Sequence, residues 1–141
     1  VTHLDTSFVI DLLRERARGG GGAATAWLEA HPDEPLAVSV FVACELEAGA
    51  ARAIHASREQ HRVRALLDAV TVVYPDDRFA PRFGATLAAI LRTGRSMATM
   101  DLLIATSALL EGAPLATANR RHFEVVPDLV VIGYRAHVRD T

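Results

Sequence analysis

Five short apolar or β-branched runs punctuate this chain, and helical patterns fill the stretches between them. The runs are Thr2–Leu4, Pro35–Ser39, Val70–Pro75, Leu115–Thr117 and Leu129–Ile132. Parallel strands cannot be joined by a tight hairpin. They need a crossover of about a dozen residues or more, which a helix usually supplies. Strands and helices that alternate in this way predict an α/β fold. The expected architecture has three layers, with a central parallel sheet of four to five short strands flanked by helices, in one domain over residues 1–141.

Between the runs, Phe8, Val9, Leu12 and Leu13 recur at helical spacing, with Ser7 as the expected N-cap. Gly19 to Gly22 reads as an exposed linker to a short helix over Ala24–Ala30, which His31-Pro32 stops. Ser39 is placed to cap a helix through Ala53, and Ser57–Ala69 forms the next. A long helix then runs from Asp76 or Asp77 to Leu91, ended by Thr93-Gly94. The most apolar helix follows, from Thr99 or Met100 to Leu110, and must be nearly central. Residues 118–123 form a loop or one helical turn, and a polar tail follows Gly133-Tyr134.

With 141 residues, half of them hydrophobic, the chain has enough apolar surface to bury a core without staples. Its apolar runs fall short of the roughly 20 residues of a transmembrane span, and no basic n-region or A-x-A site marks a signal peptide. A cytoplasmic protein without membrane association is expected. The single cysteine, Cys44, reads as a small buried hydrophobe. A net charge of −2 argues against a protein that coats nucleic acid by charge alone. All fifteen basic residues are arginine, which removes P-loop and Schiff-base chemistry.

Three acids stand out by position. Asp5 follows the first strand beside a helix start, Glu45 shares a helix face with Phe41, and Asp101 lies in the first turn of the most apolar helix. Glu47 suits a solvated edge. In a parallel sheet, right-handed crossovers can bring the three to one edge, where ligands bind. Two unit charges about 4 Å apart repel by about 4 kcal/mol at an effective dielectric near 20, so such a cluster needs a cation or a proton. Oxygen ligands that leave waters in place suit Mg²⁺, or Mn²⁺ as the alternative, and such a site activates water toward a phosphodiester.

Leu4-Asp5-Thr6-Ser7, Cys44-Glu45-Leu46-Glu47-Ala48-Gly49, Met100-Asp101-Leu102-Leu103-Ile104-Ala105 and Ala116-Thr117-Ala118-Asn119-Arg120-Arg121-His122-Phe123 resemble the four ordered motifs of PIN domains, and most of all those of the VapC toxins. The resemblance covers nearly the whole chain. It implies a Mg²⁺-dependent endoribonuclease, the toxin of a type II toxin–antitoxin pair, with Asp5, Glu45 and Asp101 as metal-binding acids. Asn119 stands where the fourth motif often carries an acid. It can position a water but adds no charge. Thr117 is a candidate hydrogen-bond donor to a metal-bound water or a phosphate, and Thr6 offers a hydroxyl beside Asp5. Arg95, Arg120 and Arg121 are the candidate contacts to substrate phosphates. Each of these arginines taken singly also fits a solvated surface charge, and His122 fits a surface or partly packed histidine.

The implied partners are RNA, a second copy of the chain, and a small VapB-like antitoxin in an apolar groove near the first helices, bordered by Gly19–Gly22 and Trp27. The alternative is a non-catalytic PIN-like module that binds RNA or protein. A phosphatase with an aspartyl nucleophile expects an Asp-x-Asp and a lysine; position 7 is Ser and lysine is absent.

Overall fold

A computed structural model describes residues 1–135; the polar tail beyond them lies outside the described residues. It contains β1 (Thr2–Leu4), β2 (Leu36–Ser39), β3 (Thr71–Val73), β4 (Leu115–Ala116) and β5 (Val131–Ile132). All five strands form one parallel sheet in the order β3-β2-β1-β4-β5. His3 pairs with Ala37 on one side and Leu115 on the other, so β1 is the central strand. Every residue of β1 is buried, as befits a parallel strand covered on both faces, while the edge strands β3 and β5 are only partly covered.

The helices are α1 (Thr6–Ala17), α2 (Ala23–Ala30), α3 (Val40–Ala51), α4 (Ala56–Ala69), α5 (Phe79–Arg92), α6 (Thr99–Leu110) and the single turn α7 (Arg120–Phe123). The chain runs from β1 outward to β3, then returns across the sheet to β4. Right-handed crossovers therefore put α1 to α4 on one face and α5 with α6 on the other. The packing agrees: α1 touches α2 and α3, α3 touches α4, and α5 touches α6. Leu102, Ile104, Ala105 and Ala108 of α6 join Phe8, Leu46 and Leu115 in one core, which is the central placement expected for that helix.

Local capping departs from expectation at α1. Asp5, not Ser7, is the N-cap residue, and its carbonyl accepts from Phe8 and Val9 N–H. Ser39 does cap α3, accepting from Val42 N–H at 3.3 Å. On α3 two further expectations fail. Cys44 is exposed, and Glu47 is half-buried, with Oε1 lacking a hydrogen-bond partner among the described residues. The helix is apolar almost all round, so spacing does not define which face turns inward.

The Gly19–Gly22 segment is exposed but not a featureless linker. All four glycines have positive φ, from 76° to 128°. The loop folds back so that the buried Glu15 carboxylate accepts from Ala24 N–H at 3.2 Å and from Thr25 N–H at 2.8 Å. Glu15 thus supplies the cap that α2 lacks at Gly22 and stabilises orphan amides at a helix start. A Cβ on Gly22 would lie 2.3 Å from Glu15 Cδ, whereas one on Gly20 meets open space. Gly22→Ala therefore combines a clash with a backbone region nearly restricted to glycine and is expected to cost about 3 kcal/mol, against about 1 kcal/mol for Gly20→Ala. Urea unfolding of the two variants measures the difference, and equal losses would refute the Glu15 contact.

Candidate active site

The strand order reverses at the β1–β4 pair, because β2 and β3 lie on one side of β1 and β4 and β5 on the other. Such a reversal opens a crevice at the carboxyl ends of the strands. Asp5 follows β1 there, and Thr117 follows β4. Both are buried, and Thr117 Oγ1 donates to Asp5 Oδ2 at 2.7 Å across the crevice. Ser7 Oγ donates to the same oxygen at 2.8 Å. Each hydroxyl in turn accepts a backbone amide, Ser7 from Ala118 N–H and Thr117 from Asn119 N–H, both at 3.0 Å. A buried carboxylate is thereby satisfied by charge-assisted bonds, each worth about 1.5–3 kcal/mol.

Glu45 is brought in from α3. Thr6 Oγ1 donates to Glu45 Oε1 at 2.6 Å, which ties the second acid to the residue next to Asp5. Asp101 enters from the first turn of α6, where His122 Nε2 lies 2.6 Å from its Oδ2. His122 belongs to the same short segment as Thr117 and Asn119. The structure thus links all three acids to one crevice through Thr6, Thr117 and His122. Each carboxylate has one oxygen fixed by a side chain and the other without a hydrogen-bond partner among the described residues. Among the described residues no three His, Cys, Asp or Glu side chains form a group that could hold a metal ion.

The remaining sequence candidates divide. Thr6 and Thr117 donate their hydroxyl protons to Glu45 and Asp5. Asn119, Arg120 and Arg121 line a cleft of about 480 Å³ with Thr117 and His122. Arg120 pairs with Glu124 at 2.8 Å. Arg95 is exposed on the loop before α6 and does not line that cleft. Spacing did not reveal the contact of His122 with Asp101, although its place four residues after Ala118 put it within reach of the crevice.

These positions can be set beside known proteins. A model of the PIN domain matches residues 3–129. The chain belongs to the PIN-domain family. Ribonuclease VapC19 of Mycobacterium tuberculosis is 34% identical to this PIN domain over 128 residues, covering 89% of this chain and 94% of the relative. Ribonuclease VapC1 of Haemophilus influenzae is 28% identical over 126 residues, covering 89% and 92%. Among solved structures, DNA-bound VapBC from Salmonella typhimurium superposes with a TM-score of 0.84 at 22% identity, covering 94% of this chain and 97% of that one. VapBC2 from Rickettsia felis gives 0.83 at 21%, covering 92% and 96%. At those identities the likeness speaks for the fold.

Next to the crevice, after β5, the PIN domain carries a residue missed in the sequence. Tyr134 is fully buried after β5, packs edge-on against Phe8 at 4.6 Å, and donates its hydroxyl to Asp11 of α1. Arg135 donates twice to the same Asp11 oxygen, at 2.7 and 3.0 Å. Burial, followed by the bond to Asp11, pushes the Tyr134 phenol well above its usual value near 10. The folded protein then holds this proton in a pH range where the unfolded chain releases it. The stability is complete below about pH 10 and falls as pH rises beyond it, by up to about 1.4 kcal/mol per pH unit. Urea midpoints from pH 9 to 11 are expected to fall more steeply in wild type than in Tyr134→Phe; parallel slopes would count against the buried phenol.

Proposed function

We propose that this PIN domain is a Mg²⁺-dependent endoribonuclease of the VapC kind, the toxin of a type II toxin–antitoxin pair. The observation that carries the reading is the crevice at the β1–β4 reversal, where Asp5, Glu45 and Asp101 each have one oxygen anchored and the other left for a ligand. The relatives VapC1 and VapC19 are named ribonucleases, which supports it.

The donor chemistry, though not a closed geometry among the described residues, is that of the proposed ion. Three hard carboxylate oxygens on separate elements suit a cation that keeps several waters, such as Mg²⁺ or Mn²⁺, better than one held in an all-protein cage. When bound, such an ion supplies an acidified water and charge stabilisation at phosphorus. The chain's own part is orientation. Ser7 and Thr117 fix Asp5, Thr6 fixes Glu45, and His122 fixes Asp101, so the acids are held before substrate arrives. Asn119 is exposed and neutral, and contributes no charge toward a second ion.

Inhibition by a partner has a physical route. A groove of about 390 Å³ between α1, α3 and α4 has Ile10, Leu13, Leu46, Ala50 and Val63 along its lining, with Arg14, Glu59 and Arg62 beside them. Glu45 lines it as well, so an antitoxin seated there would reach an active-site acid. Trp27 is a core residue and, like Gly19–Gly22, stands outside this lining. The proposal includes a homodimer and a cytoplasmic location. Among the described residues, no helix is long and apolar enough to cross a membrane.

A non-catalytic binding module is the alternative, and the lack, among the described residues, of three His, Cys, Asp or Glu side chains that could hold a metal ion favours it. One experiment separates the two. Wild type and Asp101→Ala are incubated with total cellular RNA in Mg²⁺ or EDTA, the cleaved ends are mapped, and both proteins are titrated with Mn²⁺ by calorimetry. Cleavage is expected to fall by about 10²–10³-fold in the variant and to stop in EDTA. Equal cleavage by both proteins, or no Mn²⁺ heat in the wild type, would sink the nuclease reading.

A further inference from the structure

The cleft beside the acids carries the opposite charge. Its lining includes Arg120, Arg121, Arg135, His122, Thr117 and Asn119, and no carboxylate among the described residues. In a chain of net charge −2, this places three guanidiniums directly beside a site built from three acids. Two of them are already steered. Arg120 is held by Glu124, and its stem lies against Gly133, where a Cβ would stand 3.1 Å from Arg120 Cδ. Arg135 gives Nε and Nη2 to Asp11, which is itself fixed by the buried Tyr134 hydroxyl, and Nη1 has no hydrogen-bond partner among the described residues. Arg121 is exposed and has no acidic partner among the described residues.

We infer that this cleft is a subsite for a backbone phosphate of single-stranded RNA, flanking the bond cut at Asp5, Glu45 and Asp101, with Arg121 and Arg135 as its contacts. Arg135 is a residue the sequence did not point to. The inference rests on the nuclease reading for its substrate, but its chemistry is independent of cleavage. Guanidiniums present paired N–H donors that match phosphate oxygens. They also offset the repulsion that a carboxylate site imposes on a polyanion. A cleft of about 480 Å³ suits one unit of an extended strand rather than the width of a duplex, and single strands are the form in which RNA is usually read.

The test is binding without turnover. Wild type, Arg121→Gln, Arg135→Gln and the distant surface variant Arg58→Gln are titrated in EDTA against a fluorescently labelled, mixed-sequence single-stranded RNA oligonucleotide, with anisotropy read at several salt concentrations. Arg121 and Arg135 are exposed, and because Arg135 also holds Asp11, the urea midpoint of each variant is measured alongside to show that the fold is kept. Each is expected to weaken binding about 3–10-fold and to reduce the slope of log K against log salt by about 0.7, the value for one phosphate contact on a single strand. Arg58→Gln is expected to match wild type. Wild-type affinity and slope in both cleft variants would overturn the subsite even if Asp101→Ala abolishes cleavage, as would an absence of RNA binding by the wild type. Weakened binding in the cleft variants, together with full cleavage by Asp101→Ala, would keep the subsite and remove the nuclease reading.

Discussion

A carboxylate buried at the end of a central strand must be hydrogen-bonded or it destabilises everything packed around it. Asp5 meets that demand with two hydroxyls that arrive from different directions, Ser7 from its own helix and Thr117 from the strand on the far side of the crevice. Because Ser7 and Thr117 also accept the amides of Ala118 and Asn119, the turn after β4 is fixed by the same bonds. That turn leads into α7, which carries His122 to Asp101. The arrangement of the acids therefore hangs on how one buried charge is satisfied.

Much of the fold was legible because its signals are local. The β-branched run at Val70–Val73, the Ser39 cap and the apolar α6 each announce themselves within a few residues. The candidate acids stand out for a related reason: Asp5 follows a strand, Asp101 opens a helix and Glu45 sits on an apolar stretch, and each is unusual for its residue type. What stayed hidden depends on distant partners. The pairs His122–Asp101, Tyr134–Asp11 and Thr117–Asp5 are separated by 21, 123 and 112 positions. No periodicity reports such a bond.

The misreadings have the same origin. Ser7 has the residue type of a cap, but the helix starts at Thr6, so Ser7 lies inside its first turn, where its hydroxyl donates to Asp5 and accepts from Ala118 N–H. Four consecutive glycines looked like slack, yet each takes a conformation open mainly to glycine, and the loop they form returns α2 to Glu15. Cys44 and Glu47 were assigned to the wrong environments because α3 carries small apolar residues on nearly every side.

The separation between Asp5 and Thr117 bears on synthesis as well as on structure. A ribosome adding about 5–20 residues per second needs roughly 5–20 s to travel between those two codons. Throughout that interval the first acid has no partner from β4, and the turn that carries His122 to Asp101 does not yet exist. Glu45 and Asp101 emerge in the meantime without the crevice that unites them. In a nascent chain the crevice is therefore incomplete until β4 and the turn that follows it have been made.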